Sequence, residues 1–118
     1  MDVYPTVLRI AGAQTLPGHA MGEPLQPIFK NPKTTIREVI FSECAGVGAV
    51  QGQGHRMARS DRYKYVLSDT DEAYLFDLNK DPAEITNRIN DKTLKKVRDR
   101  LRQELLSWMK QIGDRTPN

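Results

Sequence analysis

Six apolar residues near the end of the chain, Leu94, Val97, Leu101, Leu105, Trp108 and Ile112, follow one another at steps of three and four. On a helix they form one continuous stripe, with Lys95, Lys96, Arg98, Arg102 and Glu104 mostly elsewhere. The pattern predicts a long helix that opens on Asp91 as N-cap, runs to about Ile112 and stops at Gly113, with residues 115–118 fraying beyond it. Burying six such side chains contributes roughly 1.5–3 kcal/mol each before entropy is subtracted. The rest of the chain must therefore present an apolar face to this helix.

The residues before it are suited to that task. Ile36 to Glu43 is apolar and β-rich, with Val39 and Phe41 on one face and Ile36 and Ile40 on the other. Residues 45–54 form a glycine-rich loop. Arg56 to Ser60 predicts a short strand and Asp61-Arg62 a tight turn. Arg62 to Ser68 then alternates, with Tyr63, Tyr65 and Leu67 facing one way. A polar turn at 68–71 leads into a strand from Ala73 to Leu78, and a short turn-helix is expected from Ala83 to Arg88. Short polar turns between consecutive strands favour antiparallel pairing. The fold class expected is α+β, a three- or four-stranded antiparallel sheet packed against the long C-terminal helix.

The first 35 residues read differently. Residues 2–12 predict one short helix, with Pro5 in its first turn and Gly12 just past its end, and with Val3, Val7 and Ile10 on a shared face. Residues 13–35 hold Pro17, Pro24, Pro27 and Pro32, and read as extended connecting chain without a helix or central strand. A connection of that length normally packs on something. We therefore divide the chain into 1–35, a helix and Pro/Gly-rich linker left from a boundary with a missing domain, and 36–118, the sheet and its helix. The face left bare on the first segment is expected to promote self-association in isolation.

Composition narrows the function classes. With 118 residues, 38% hydrophobic and 28% charged, the chain suits one soluble globular domain. No apolar run approaches the length of a membrane span, so no membrane partner is expected. The start, Met1-Asp2-Val3-Tyr4-Pro5, places an acid where a signal peptide would place bases. One cysteine, Cys44, excludes an internal disulfide. The net charge is only +3, yet residues 91–110 hold seven Lys/Arg against three Asp/Glu. That local excess keeps one alternative open, a freestanding module that binds nucleic acid or another polyanion through its basic helix. A solvated basic face accounts for it better: Trp108 lies on the apolar stripe, and Arg59, Arg62, Lys64, Tyr63 and Tyr65 match no specific nucleic-acid motif. No nucleic acid is expected as a partner.

No residue set is equipped for catalysis. Cys44 has one histidine, His55, across the glycine loop, but a lone cysteine at a strand end is usually a small apolar residue. His19 and His55 have no acidic partner at metal-ligand spacing, so no metal site is expected. The loop lacks the Lys-Ser/Thr ending of a phosphate-binding loop, and a strand rather than a helix follows it. Its polar groups remain suited to hydrogen-bonding a ligand held by another domain, and Gln51, Gln53, His55 and Arg56 are the substrate-side candidates.

Three stretches resemble the C-terminal part of the sulfatase-family hydrolases, in order and in spacing. Asp2-Val3-Tyr4-Pro5-Thr6 through Ala11-Gly12, with the later Gly22-Glu23-Pro24-Leu25-Gln26-Pro27, is similar to the family's D-x-x-P-T helix and G-x-S-L-x-P stretch. Residues 56–66 (RMARSDRYKYV) resemble its R-x-x-R-x-x-x-Y-K-Y hairpin. Residues 75–87 (LFDLNKDPAEITN) resemble L-Y-D-L-x-x-D-P-x-E-x-x-N-L. Pro24, Phe76 and Arg88 depart from the usual Ser, Tyr and Leu, all at turn, cap or packing positions. The resemblance implies a four-stranded antiparallel sheet with a terminal helix, docked on an N-terminal catalytic domain as its partner. It also implies that the formylglycine nucleophile and a calcium ion belong to that domain. Cys44 precedes Ala45-Gly46-Val47-Gly48 rather than the x-P-x-R of a formylglycine site, so no catalytic residue of the family carries over. The chain is thus read as a sulfatase fragment without nucleophile or metal ligands, its work structural and its residues 50–56 placed to shape specificity. Relatives that cleave phosphate or phosphodiester bonds share the parent fold, and the deciding nucleophile lies outside these residues.

Overall fold

The structure is a computed structural model that describes residues 2–14, 18, 22–44 and 54–114. The chain divides into two compact units, Met1–Glu38 and Val39–Asn118.

The first unit holds helix α1 (Val3–Ile10) and a short helix α2 (Gln26–Lys30). α2 corrects the expectation that the proline-rich stretch excludes a helix. Pro27 stands in its first turn, where a backbone N–H has no helical partner to lose, and its fixed φ suits the conformation. The two segments are joined by a polar knot. The Thr6 hydroxyl donates to the carbonyl of Asp2 at 2.5 Å and accepts from the Leu25 N–H at 2.9 Å. The Gln26 amide donates to the Thr6 carbonyl at 2.9 Å, and Asp2 Oδ1 accepts from the Glu23 N–H at 3.0 Å and from Arg37 at 2.8 Å. Pro5 and Thr6 are consequently the buried residues of α1. The shared apolar face of α1, Val3, Val7 and Ile10, stands 69%, 56% and 69% exposed.

The second unit is a four-stranded sheet in the order β1-β2-β3-β4, with every neighbouring pair antiparallel. The strands are β1 (Ile40–Cys44), β2 (His55–Arg59), β3 (Tyr63–Ser68) and β4 (Ala73–Asp77). β1 begins four residues later than the apolar pattern suggests. Its pairing starts at Ile40 opposite Arg59, and β2 turns away after Arg59, so nothing is left for residues 36–39 to pair with. Register sorts the side chains into rows. Phe41, Ala58, Tyr65 and Leu75 are successive partners across the sheet, as are Ser42, Met57, Val66 and Tyr74 in the next row. Adjacent residues point to opposite faces, so the first row belongs to the core and the second to the other side.

Helix α3 (Lys95–Gln111) covers the core row. Leu101 and Leu105 are fully buried with Ala58, Tyr65 and Leu75, and the Trp108 ring stacks on Phe41 at 5.2 Å and 9°. Met109, outside the expected stripe, is buried as deeply. An apolar face in contact with a sheet is broader than a single i, i+3, i+4 line, and Met109 sits one turn beyond Leu105 within that breadth. Gly113 adopts φ +71°, the left-handed position after the helix, and lets the Asp114 N–H turn back to the Met109 carbonyl at 2.9 Å.

Helix entry is set by Asp91. Its carboxylate accepts from the Thr93 N–H at 2.9 Å and the Thr93 hydroxyl at 2.7 Å, and pairs with Arg88. A 3-10 turn over Lys92–Leu94 comes first, and the α-helix proper begins at Lys95. No turn-helix forms over 83–88. Glu84 takes φ +55°, Asp81 accepts from the Thr86 N–H at 2.8 Å, and the segment runs along the outer edge of β4. There Asn87 Oδ1 accepts the Leu75 N–H at 3.0 Å and the Arg88 N–H donates to the Leu75 carbonyl at 2.7 Å. Edge groups that would otherwise invite another strand are satisfied in place.

Two expectations follow. Leu101→Ala should lose about 2–5 kcal/mol of stability, and Ile85→Ala, at a site 82% exposed, less than about 0.5, with denaturant titration as the measure. The Asp91 carboxyl is held down to about 2, by the Thr93 hydroxyl first and then by Arg88 and the Thr93 N–H. A folded value below the unfolded one, near ~3.9, gives stability that is present above the unfolded value and lost as pH falls through the folded one. Melting temperature should therefore drop between about pH 4 and pH 2, and Asp91→Asn should lower it at neutral pH while making that drop shallower.

Candidate functional site

Antiparallel order brings two connections to the same end of the sheet. The glycine loop leaves β1 at Cys44 and enters β2 at His55, while the β3–β4 turn leaves Ser68, and His55 and Ser68 are register partners. Gly54 and Asp69 join these connections. The Gly54 N–H donates to Asp69 Oδ2 at 3.0 Å, and the Asp69 N–H donates to the Gly54 carbonyl at 2.9 Å. A Cβ at Gly54 would meet the Asp69 carboxylate and the Cys44 carbonyl, the latter at 3.0 Å, so glycine is required by close approach.

Arg56 fastens the same corner from the helix side. Its guanidinium donates to both oxygens of Asp114, at 2.7 and 2.9 Å, and pairs with Asp69. With side-chain exposures of 16% for Arg56 and 14% for Asp114 this is a largely enclosed clamp, and the hydrogen bonds to Asp114 raise the guanidinium's already high pKa. It links β2, the β3–β4 turn and the segment after α3. A second bidentate pair, Arg62 on the buried Asp77 at 3.0 and 2.8 Å, secures the other end of β3 and lowers the Asp77 pKa.

Of the four substrate-side candidates, His55 is exposed and Arg56 is engaged as described, while Gln51 and Gln53 lie outside the described residues, as do loop positions 45–53, His19 and residues 115–118. Cys44 is half-buried beside His55 in register. Among the described residues no three His, Cys, Asp or Glu gather to hold a metal ion, and no helix is long and apolar enough to cross a membrane. The basic helix is laced with acids: Lys95 and Arg98 pair with Asp99, and Arg100 with Glu104.

Residues that sequence reading did not single out are Asp69, Asp114 and Gln26. Asp69 reads as an ordinary turn residue and Asp114 as tail, because their shared partner lies 13 and 58 positions away. Gln26 lines a hollow of about 420 Å³ in the first unit with Arg9, Glu23, Thr34 and Ile36. Its Oε1 is buried without a partner among the described residues. Arg56→Met should cost about 1–3 kcal/mol by removing the guanidinium that binds both oxygens of the enclosed Asp114 carboxylate, whereas Arg59→Met, on an exposed position of the same strand, should change stability by less than about 0.5 in urea denaturation.

Residues 1–111 match the family described as N-sulphoglucosamine sulphohydrolase, C-terminal. The chain is 30% identical over 105 residues to an arylsulfatase of Clostridium perfringens, aligning 89% of itself with 21% of that protein. Its fold is similar to that of BT4656, solved in complex with its substrate D-glucosamine-2-N,6-O-disulfate, with a TM-score of 0.83 and 28% identity over 98% of this chain and 24% of that one. It is also similar to the phosphonate monoester hydrolase of Agrobacterium radiobacter, with a TM-score of 0.74 and 27% identity over 93% of this chain and 24% of that one. The chain spans between 17% and 59% of the lengths of the curated relatives it matches. A D-x-x-P-T helix knotted to its proline-rich neighbour, a four-stranded antiparallel sheet and a terminal helix, matched along residues 1–111, make this chain a member of the sulfatase C-terminal family.

Proposed function

We propose that this chain is the C-terminal subdomain of a sulfate-ester hydrolase, that it completes the fold of an N-terminal catalytic domain, and that its residues 50–56 wall the substrate cleft. In this reading the formylglycine nucleophile and the calcium ion belong to the catalytic domain, and this chain supplies neither.

The observation that carries the reading is the inverted dressing of α1. Its polar and small residues, Thr6 and Pro5, are buried, while Val3, Val7 and Ile10 stand in water, joined in the same unit by Phe29 at 64% exposure. Water-facing apolar side chains at helical spacing gain roughly 1.5–3 kcal/mol each when a partner covers them. The similar arylsulfatase, of which this chain matches 21%, supports the idea that the partner is the rest of a longer enzyme.

Co-expression of the upstream catalytic portion with this chain should yield a complex, and Val7→Asp with Ile10→Asp should abolish co-purification while leaving the sheet unit folded. Undiminished co-purification of the double variant would overturn the docking role. His55 is exposed, so His55→Ala in the full enzyme should shift stability by less than about 0.5 kcal/mol while changing the ratio of kcat/KM between sulfate esters of different size. Identical ratios in both proteins would remove the 50–56 region from the cleft.

A further inference from the structure

The hollow at the clamped end of the sheet has a composition of its own. It is an open hollow of about 580 Å³, within the ~300–1,000 Å³ of small-molecule sites, and lies on the side of the sheet away from α3. His55, Val66, Ser68, Thr70, Glu72 and Tyr74 line it. That set offers an imidazole, two hydroxyls, a phenol, a carboxylate and one aliphatic wall. None of the 18 Lys and Arg of the chain is among the lining residues. A sulfate or phosphate would meet a carboxylate there and no cation to pair with it.

The polar groups are held in place before any ligand arrives. Ser68 Oγ accepts from the N–H groups of Thr70 at 3.3 Å and Glu72 at 3.1 Å, and shares a proton with the Thr70 hydroxyl at 2.8 Å. Asp71 takes φ +63°, and the Ser68 N–H reaches the Glu72 carbonyl at 2.8 Å, which closes the turn. The Tyr74 hydroxyl donates to Glu72 Oε2 at 3.0 Å. A carboxylate has two acceptor oxygens, and this contact uses one of them. The Tyr74 ring is 36% exposed and stacks on Phe76 at 6.5 Å and 7°, which fixes its plane. The Gly54–Asp69 pair ties the wall bearing His55 to the wall bearing Thr70 and Glu72.

We infer that this hollow is a binding subsite for an uncharged, hydroxyl-rich ring, a sugar residue that bears no sulfate, with Tyr74 as its apolar platform and Glu72, Ser68, Thr70 and His55 as hydrogen-bonding groups. Fixed acceptors and hydroxyls suit ligand hydroxyls, which both donate and accept, and a flat aromatic face suits the C–H side of a sugar ring. The inference deepens the proposed function by assigning the part of a substrate that extends beyond the ester, and it rests on that reading only for its biological purpose.

The probe is N,N′-diacetylchitobiose, titrated into the 15N-labelled chain and, in parallel, into the full enzyme, with sodium sulfate as the competing ligand. Saturable shifts of the His55, Thr70 and Tyr74 amides are expected with the disaccharide and not with sulfate. Tyr74→Ala should weaken binding by about tenfold, Glu72→Gln by severalfold, and Tyr74→Phe should retain most of it because the platform survives. A shift pattern centred elsewhere, equal affinity in Tyr74→Ala, or tighter binding of sulfate at these amides would overturn the assignment. Loss of sulfate-ester hydrolysis in the full enzyme would overturn the parent reading and leave the sugar titration to stand or fall by itself.

Discussion

Everything in the sheet unit depends on the burial of one helix face against one sheet face. Leu101, Leu105 and Met109 lie on Ala58, Tyr65 and Leu75, each close to full exclusion from water. Ala58 is the small residue of that row, and it lets the helix approach β2 and β3 while Trp108 reaches over to stack on Phe41 of the edge strand. Dispersion and hydrophobic transfer supply the driving force here, and the polar features of the unit refine a geometry that packing has already set.

Those polar features share a logic. Each stands at a margin of the core, and the two arginine clamps join elements distant in sequence: Arg56 binds Asp69 and Asp114 at one end of the sheet, and Arg62 binds Asp77 at the other. Asn87 closes the edge of β4, and Asp91 caps the entry to α3. The consequence for function is positional. The β1–β2 and β3–β4 connections emerge together and are held together by Gly54 and Asp69, so the exposed His55 and the hollow beside it stand on a rigid frame. The first unit has a different character, with a hydrogen-bonded polar interior, Gln26 Oε1 aside, and an exposed apolar face on α1.

Much of this was readable from residues alone because it follows from period. The two-residue alternation of Tyr63, Tyr65 and Leu67 and the three-and-four stepping of Leu101, Leu105 and Trp108 each name their buried face, and Gly113 marks the stop. The start of β1 was not readable, since Ile36 and Val39 look equally strand-like and only the length of β2 decides where pairing ends. α2 was hidden behind its prolines, although Pro27 sits where a proline is harmless. For α1, periodicity named the apolar face, and the lack of a packing partner nearby in sequence left it bare: Val3, Val7 and Ile10 share a side that the described residues leave uncovered. Of the candidate site, His55 was legible as a loop-end polar group. Arg56's engagement was not, because charge partners 13 and 58 residues away leave no local trace.

The central claim, that this fold is the closing piece of a larger sulfatase, is tested most directly by reading the coding DNA upstream of the Met1 codon. The account predicts an open frame that continues upstream through the length of a catalytic domain and contains a C/S-x-P-x-R motif. An in-frame stop codon close upstream, with translation beginning at Met1, would contradict it and leave α1 with an apolar face that no catalytic domain covers.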